Sequence, residues 1–337
     1  MKIFGLTLLA LLVCAVPALA SVTISSPSEG SLVVSPFTLN ATATACGSQP
    51  IVGMAYWLDD SDRRPNLTRG SSLDAQVRAE LGSHTLYVGA FTHFGICGIS
   101  SVSITVVPNP LSYVPSSAVV VKQIQTLPNW QAADDAGTGP GTATGTMQLV
   151  SSPSLSGNAL EFVTSYTNSA GERYDVVFGA DTAVTNFLYD TWIYLANPSS
   201  DIANLEFDMN QVLANGDTVI YAVQCDGYSS TWDYTTNAGT PVNFSDQWIH
   251  STAPCYPRAW TTNTWHHVQM LYSRDSEGNI TYKSVWLDGV EQDLNATVPG
   301  AFSLGWGSVL LTNFQVDGLG GYGTVTAYLD KLTVYRW

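Results

Sequence analysis

The sequence predicts an all-β protein built from two antiparallel β-sandwiches. Its composition is the first indication, because Thr, Ser, Tyr, Trp, Val and Gly are abundant and charged residues make up only 12% of the chain. The second is a series of short apolar-alternating segments, separated by turns rich in Gly, Asn and Asp, without a sustained helical period. At 337 residues, the chain is also long enough for two domains.

The N-terminal segment predicts a signal peptide over residues 1–20. Lys2 supplies the positive charge, an apolar run follows, and Ala18 and Ala20 form a small-x-small cleavage site. The run is shorter than the roughly 20 residues that a membrane span needs, and no later run is long enough. We therefore expect a soluble, secreted protein, located outside the cell or at the cell surface, with no membrane span.

Residues 21–107 predict a small sandwich, with strands at 22–25, 37–45, 51–58, 75–80, 84–92 and 101–107. The opening Ile-Ser-Ser-Pro-x-x-Gly at 24–30 and the spacing between Cys46 and Cys97 resemble the immunoglobulin-like modules that accompany bacterial secreted enzymes. The resemblance implies an immunoglobulin-like sandwich for this domain.

A proline-rich segment then separates two patterns of strands. Pro108, Pro110 and Pro115 cannot donate ladder hydrogen bonds, so we expect a short, stiff linker over residues 108–115. Residues 116–337 predict strands at 119–125, 159–166, 174–178, 187–196, 204–213, 218–225, 266–273, 282–287, 309–316 and 324–335. Ten or more strands favour two packed antiparallel sheets in a jelly roll.

The cysteines divide evenly between the two predicted domains. Cys14 leaves with the signal peptide, which leaves Cys46 and Cys97 in the first half and Cys225 and Cys255 in the second. In an oxidising compartment we expect one disulfide within each half. The spacings do not suit a zinc site, and no loop carries oxygen ligands at a calcium spacing, so we predict neither metal nor cofactor.

The segment 204–212 carries the clearest candidate site. Three apolar side chains alternate there with Glu206, Asp208 and Asn210. With the two-residue period of a strand, one face would enter the core and the other would present two carboxyls and a carboxamide in one row. Adjacent acids on a strand repel each other, which favours a groove or a site of chemistry.

This segment resembles the catalytic strand of laminarinase- and lichenase-type glycoside hydrolases, in the concanavalin A-like lectin/glucanase superfamily. That strand reads Glu-x-Asp-x-Glu, or Glu-x-Asp-x-x-Glu with a bulge. Glu206 and Asp208 match, whereas the last Glu is replaced by Asn210 or, in the bulged register, by Gln211. The segments 264–268 and 284–289 resemble paired strands of laminin-G-like and pentraxin-like jelly rolls, which implies the same fold.

The resemblance implies a retaining glycoside hydrolase with Glu206 as nucleophile and Asp208 as its partner. Such an enzyme needs a general acid about 5–5.5 Å from the nucleophile. A carboxamide cannot transfer a proton near neutral pH, and loss of general acid–base help costs about 10²–10⁴-fold in rate. Hydrolysis therefore requires an acid from another strand, such as Asp190 or Asp226.

Binding of a neutral polysaccharide or oligosaccharide requires fewer functional groups than hydrolysis does, because aromatic stacking and planar polar side chains are sufficient and no general acid is needed. The candidate ligand-binding residues are Asp190, Trp192, Tyr194, Asn210, Gln211, Gln224, Trp232 and Arg258. A competing interpretation places Trp192 and Tyr194 in the core and Trp232 over a loop held by the second disulfide.

The net charge narrows the function classes. The 27 acidic residues exceed the 12 basic ones by 15, which argues against nucleic acid, anionic membranes and polyanionic glycans as partners. We predict a secreted protein that binds a neutral glycan in the groove of the second domain. The alternatives are a laminarinase-type hydrolase with a displaced general acid, and a structural or adhesive surface protein with no sugar site.

Overall fold

The computed structural model describes residues 21–45, 49–59, 66–135, 140–196 and 201–337. The chain divides into two compact units, with the boundary in the sequence between Pro108 and Asn109. Nearly all regular structure is β-strand, as the sequence predicts. None of the helices within these ranges is long and apolar enough to cross a membrane. Residues 1–20 and Cys46 lie outside the described residues, so the signal peptide and the Cys46–Cys97 disulfide stay predictions.

The first unit is a sandwich of two sheets. Its strands are β1 (Val22–Ser26), β2 (Ser31–Val34), β3 (Phe37–Ala43), β4 (Gly53–Leu58), β5 (Asn66–Arg69), β6 (Ser72–Val77), β7 (Gly82–Thr92) and β8 (Gly95–Val107). One sheet has the order β1-β3-β6 and the other β2-β8-β7-β4-β5. Leu39 from the first sheet and Met54 and Leu86 from the second are fully buried in a shared core. The immunoglobulin-like character of this sandwich stays a prediction.

Within its described residues, the second unit contains sixteen further strands. They are β9 (Val119–Val121), β10 (Gln131–Asp135), β11 (Ala143–Val150), β12 (Ala159–Thr167), β13 (Gly171–Gly179), β14 (Asn186–Leu195), β15 (Ile202–Val212), β16 (Thr218–Asp226), β17 (Thr231–Asn237), β18 (Asp246–Pro254), β19 (Trp265–Arg274), β20 (Asn279–Leu287), β21 (Val290–Pro299), β22 (Ala301–Phe302), β23 (Leu310–Gly318) and β24 (Tyr322–Arg336).

These strands form two eight-stranded sheets. The first, here called the cleft sheet, has the order β10-β13-β23-β15-β16-β17-β18, and β22 pairs with β16. The second, the back sheet, has the order β11-β12-β24-β14-β19-β20-β21, and β9 pairs with β24. Neighbouring strands run antiparallel in both sheets. The predicted jelly-roll sandwich is confirmed.

Buried aromatic rings join the two sheets. Phe162 on β12 of the back sheet lies 5.1 Å, between ring centroids, from Phe314 on β23 of the cleft sheet. Phe314 in turn lies 5.6 Å from Phe207 on β15. All three rings are at most 2% exposed. Since each buried aromatic side chain contributes about 1.5–3 kcal/mol, this cluster fixes β15 in the middle of the cleft sheet.

The proline-rich segment is packed against the second unit. Pro110–Tyr113 forms a 3-10 helix, whose start is capped because Asn109 Oδ1 accepts a hydrogen bond from the Leu111 N–H. The Tyr113 ring lies 6.3 Å from that of Trp286, and Val114 joins the same apolar cluster. The sequence predicted a stiff linker here, without this helix or these contacts, because the apolar surface that receives Tyr113 comes from residues far along the chain.

Candidate functional site

Strand β15 lies at the centre of the cleft sheet, between β16 and β23. Its odd-numbered side chains, Leu205, Phe207 and Met209 among them, belong to the core between the sheets. The alternation therefore turns Glu206, Asp208 and Asn210 to the opposite, outer face. Pairing with β16 runs without a register shift from Asn204 to Val212, so the strand has the regular register and not the bulged one.

A cleft of about 820 Å³ covers this outer face. Its walls and floor combine six carboxyls, one arginine, six carboxamides, two tryptophans and a few smaller side chains. The lining residues are Asp135, Arg173, Asp175, Asn204, Glu206, Asp208, Asn210, Ile220, Ala222, Gln224, Thr235, Asp246, Gln247, Trp248, Leu304, Trp306, Leu311, Asn313, Gln315 and Asp317. Of the sequence-predicted site residues, Glu206, Asp208, Asn210 and Gln224 are therefore brought together.

Neighbouring strands place carboxamides beside the carboxyls of the cleft floor. Glu206 lies between Gln224 on β16 and Gln315 on β23. Asp208 faces Asn313 on β23, whose Nδ2 donates a hydrogen bond to Asp208 Oδ2 at 3.0 Å. This bond holds the Asp208 carboxyl in place and favours its charged form.

Three oxygen atoms of the floor have no hydrogen-bond partner among the described residues. They are Oδ1 of Asp208, Oδ1 of Asn210 and Oδ1 of Asn313. The three residues are only 7%, 5% and 2% exposed. Buried polar atoms are normally hydrogen-bonded, and an unpaired one costs about 1–3 kcal/mol. A ligand can donate to all three oxygen atoms, and at Asp208 it competes with the neighbouring Glu206 carboxyl, which interacts with the Asp208 carboxyl through a side-chain hydrogen bond.

Burial raises the pKa of the floor carboxyls. For Glu206 the pKa lies well above the ordinary value, chiefly because of burial and then because of the charge of Asp208. Burial raises the pKa of Asp208 to about 7, although the Asn313 hydrogen bond opposes this rise. Asp317 at one end of the floor also has a pKa of about 7, again mainly because of burial. Around neutral pH the floor thus retains protons that exposed carboxyls would have lost.

The cleft lining also contains two tryptophans and one arginine. Trp248 on β18 and Trp306, which is 43% exposed, are the lining tryptophans. Arg173 is the single basic residue among the cleft residues that the structure describes, and its Nε lies 3.9 Å from Asp175 Oδ1. Indole faces and a row of polar acceptors are the elements that bind sugar rings.

A second polar cluster continues the same face of the sheet. His250 Nδ1 on β18 lies 2.6 Å from Asp233 Oδ2 on β17 and 3.9 Å from Asp226 Oδ2 on β16. Both aspartates are buried, and possible ligand atoms of the three residues lie within 4.8 Å of one another. Backbone N–H groups of Tyr228 and Ser229 orient Asp226. Two carboxylates and an imidazole could hold a divalent cation. The sequence did not predict this group because its members lie on three different strands.

The predicted residues of β14 lie away from the cleft. Strand β14 belongs to the back sheet, and its even-numbered side chains face outward from that sheet. Asp190 accepts hydrogen bonds from His267 Nε2 and Gln269 Nε2, both at 2.8 Å. Trp192 stacks on the His267 ring at 4.3 Å, and Tyr194 lies beside it on the strand. Asp190 therefore cannot serve the cleft as a displaced acid, and neither aromatic ring belongs to the core between the sheets.

Gln211 and Trp232 lie in the interior of the second unit. The Gln211 amide donates to the carbonyls of Asp181 and Val184, and its Oε1 accepts from Arg274. Trp232 is fully buried and packs against the core. The regular register of β15 explains the position of Gln211, since an odd-numbered residue there must face inward.

Arg258 and the second disulfide stabilise one end of the cleft sheet. The Arg258 guanidinium donates to the carbonyls of Ile202 and Gly227, at 2.8 and 2.9 Å. Cys225 and Cys255 are bonded, with their Cα atoms 5.3 Å apart, which confirms this predicted pair. Arg258 thus fastens the turn after β16 to the start of β15, a position outside the cleft lining.

Several cleft residues were not among the candidates predicted from the sequence. Asn313, Gln315 and Asp317 alternate on β23 in the same way as Glu206 and Asp208 do on β15. Their Asn-Phe-Gln-Val-Asp pattern was the available signal, and it repeats the polar–apolar alternation of β15. Trp306 and Asp246 lie in turn-rich sequence without periodicity, so no local signal marks them.

Comparison with known proteins gives similarity only to solved structures. No protein-family model and no curated protein matches the chain. One similar structure, described as a carbohydrate-binding module of the β-sandwich superfamily, is 11% identical, covers 94% of this chain and 98% of its own, and has a TM-score of 0.34. The cellulose induced protein Cip1 is 13% identical over 61% of this chain and 90% of its own, with a TM-score of 0.38.

The third structure is an endo-1,3-beta-glucanase from Streptomyces sioyaensis. It is 13% identical, covers 67% of this chain and 98% of its own, and has a TM-score of 0.33. At such TM-scores these similarities carry no functional argument. The function therefore has to be argued from the cleft itself.

Proposed function

We propose that this chain is a secreted carbohydrate-binding protein whose cleft holds a glycan without acidic groups, of which a neutral chain is the simplest case. The observation that carries the proposal is a set of three buried oxygen atoms, on Asp208, Asn210 and Asn313, for which the described parts of the chain supply no hydrogen-bond partner. Sugar hydroxyl groups are donors, and each could satisfy one of these acceptors. Because an unpaired buried acceptor costs about 1–3 kcal/mol, a ligand that pairs all three gains substantially.

The charge of the cleft supports a ligand without carboxylate or sulfate groups. Six carboxyls face a single arginine among the lining residues described, and Arg173 already lies near Asp175. An acidic sugar would meet repulsion from the remaining carboxyls in a partly enclosed space, where solvent screening is weak. The tryptophan walls support stacking with the apolar face of a sugar ring.

Secretion is supported by the Cys225–Cys255 bond, since disulfides persist mainly in oxidising compartments. The predicted signal peptide agrees with this location.

The direct test is a glycan array probed with the full chain, followed by isothermal titration with the strongest ligand. Asn210→Leu removes one acceptor from the floor and should weaken binding by about 1–3 kcal/mol. Asn66→Leu makes the same change at an exposed position on β5 of the first unit and should leave binding unchanged. Absence of any glycan binding by the folded protein would reject the proposal and favour the structural or adhesive interpretation.

Hydrolysis is the second candidate, because two carboxyls with raised pKa values lie two residues apart on β15. The resemblance assigns Glu206 the role of nucleophile, but burial and the charge of Asp208 raise its pKa, which favours the protonated form and suits this carboxyl better to donating a proton. Asp208, with a pKa of about 7, is the more available base. The catalytic strand that β15 resembles has a third carboxyl at the position of Asn210, and this chain lacks it there.

A matched pair of substitutions tests this candidate. Asn210→Glu adds a carboxyl on the cleft face and should raise the hydrolysis rate of a bound oligosaccharide, by up to about 10²–10⁴-fold if the acid was the missing part. Gln211→Glu adds the same group on the core face, so it should destabilise the protein and give no turnover. If the Asn210 variant is inactive on every ligand it binds, the cleft is a binding site.

A further inference from the structure

No positively charged side chain among the described residues forms an ion pair with Asp246 on the cleft wall, and this points to the chemical class of the ligand. We propose that the glycan carries at least one protonated amine, as an amino sugar with a free amino group does, and that Asp246 and Trp248 hold that ammonium group. The inference rests on the proposed function and narrows its ligand from sugars without acidic groups to cationic amino sugars.

The distribution of charge in the cleft is the first argument. The lining contains Asp135, Asp175, Glu206, Asp208, Asp246 and Asp317 but a single arginine among the described residues. Arg173 lies next to Asp175, on the β13 side of the cleft. On the β18 side no ion pair involves Asp246 within the described parts of the chain. A positively charged group on a ligand would give Asp246 an ion-pair partner on this wall.

The carboxyls interact with one another across the cleft. Burial of the carboxyl is the main cause of the raised pKa of Asp246, and the charge of Asp135, on the opposite edge strand β10, raises it further. Part of the Asp246 side chain nevertheless remains exposed. Asp246 in turn contributes to the raised pKa of Asp208 on the floor. Asp246 is thus close enough to interact with carboxyls of the floor and of the far wall. An ammonium group placed among them would relieve these repulsions.

Trp248 supplies an aromatic surface beside Asp246. The two residues lie two positions apart on β18, so their side chains leave the strand on the same face, and both line the cleft. A cation over an indole face gains electrostatic attraction in addition to its ion pair. Trp306 provides a second indole in the lining.

The unpaired oxygen atoms of the floor are independent evidence for a ligand with several donors. Oδ1 atoms of Asp208, Asn210 and Asn313 are acceptors in side chains at least nine-tenths buried. An ammonium group has three donors and each sugar hydroxyl has one. An amino sugar therefore supplies both the charge that the wall lacks and the donors that the floor lacks.

The experiment compares three tetrasaccharides by isothermal titration with the full chain at pH 6: glucosamine tetramer, its fully N-acetylated form and cellotetraose. EDTA is present throughout, so that no metal ion contributes. We expect the glucosamine tetramer to bind at least about tenfold more tightly than the other two at low salt, since hydrogen bonds between charged groups are stronger than neutral ones. This advantage should shrink at 0.3 M NaCl, where screening is stronger.

Two further measurements separate a specific ammonium site from general attraction. Repeating the titration in buffers of different ionisation enthalpy should show release of about 0.5–1 proton with the glucosamine tetramer, because the ammonium lowers the pKa values of the nearby floor carboxyls. Asp246→Asn should remove most of the preference. Asp175→Asn should remove less because Arg173 lies beside that carboxyl, and Glu277→Gln, an exposed acid outside the cleft, should remove none.

Equal or tighter binding of the acetylated tetramer or of cellotetraose would overturn the amine inference and leave the proposed glycan binding intact. An amine preference that Asp246→Asn does not reduce would also overturn it, since the attraction would then come from the overall negative charge. If none of the three binds while the array identifies another glycan, the inference is wrong and the proposed function stands. If the array is also silent, both are wrong.

Discussion

Replacing Asp208 with asparagine should make the protein more stable at high pH and leave its stability nearly unchanged at low pH. Asp208 is 7% exposed, and burial raises its pKa to about 7. In the unfolded chain the pKa of an aspartate is about 3.9. The folded state therefore binds this proton more tightly than the unfolded state does. Below about pH 4 both states are protonated and ionisation costs nothing, whereas above pH 7 folding must bury a carboxylate.

The size of the effect follows from that difference in pKa. A shift of about 3 units corresponds to about 4 kcal/mol, at 1.36 kcal/mol per unit. Because Asp208 interacts with the neighbouring Glu206 carboxyl, which titrates together with it, we expect about 2–4 kcal/mol for Asp208→Asn at pH 8. In a domain of 150–250 residues each kcal/mol shifts Tm by about 2–4 °C, so we expect an increase of about 4–16 °C.

Thermal unfolding followed by tryptophan fluorescence at pH 3.5 and pH 8 is a suitable assay, because nine of the ten tryptophans follow Pro108 and report on the second unit. Asp317→Asn should behave in the same direction, since the pKa of Asp317 is also about 7. Glu277→Gln, at an exposed turn, is the matched control and should shift Tm by little at either pH. An Asp208→Asn change that is equal at both pH values, or a lower Tm at pH 8, would refute the reasoning.

Two other predictions concern the disulfide and the tryptophans. Replacing both Cys225 and Cys255 by serine opens a loop with a sequence separation of 30 residues. Chemical denaturation should then show a free energy of unfolding lower by about 3–4 kcal/mol. An unchanged denaturation midpoint would contradict a stabilising role of the disulfide. Trp306→Ala should weaken glycan binding by about 1–2 kcal/mol with little change in Tm, because this ring is 43% exposed. Trp232→Ala should instead lower the free energy of unfolding by about 3–5 kcal/mol, because this ring is fully buried. A large loss of stability for Trp306→Ala, or a loss of glycan affinity without a loss of stability for Trp232→Ala, would contradict the positions of the two rings.

The central strand was predictable because its signal is local. Three apolar residues alternate with Glu206, Asp208 and Asn210, and the core receives one set while the cleft receives the other. A two-residue period determines which residues share a face and needs no knowledge of the partner strands. The sequence could not decide between the regular and bulged registers. Pairing with β16 from Asn204 to Val212 decides it in the structure, and Gln211 then faces the core.

The sheet to which a strand belongs was not predictable in the same way. Asp190, Trp192 and Tyr194 do share a face of β14, as their alternation indicates, but β14 lies in the back sheet. Alternation identifies a common face and carries no information about which sheet contains the strand. That choice depends on pairing with β19 and β24, the latter more than 130 residues later in the chain.

The partners of the floor carboxyls were missed for the same physical reason. Strand β23 follows β15 by about a hundred residues and yet pairs with it directly, which brings Asn313 to Asp208 and Gln315 to Glu206. The pKa shifts of the floor also depend on this arrangement, because burial by neighbouring strands is their main cause. A sequence motif can thus identify two carboxyls, while their protonation is a property of the assembled sheet.

The energetic cost of the floor argues that it serves a ligand. Asp208 and Asp317 both carry raised pKa values, and three buried oxygen atoms in the floor have no partner among the described residues. Serine, threonine or small apolar residues at these positions would satisfy the pairing of β15 and β23 without such a cost. Single substitutions that remove the cost are therefore available, and they should stabilise the free protein. Residues that reduce the stability of the free protein in this way are expected where they bind a ligand. If Asp208→Asn raises Tm at pH 8 and weakens glycan binding in the same protein, the two effects together identify the floor as the binding site.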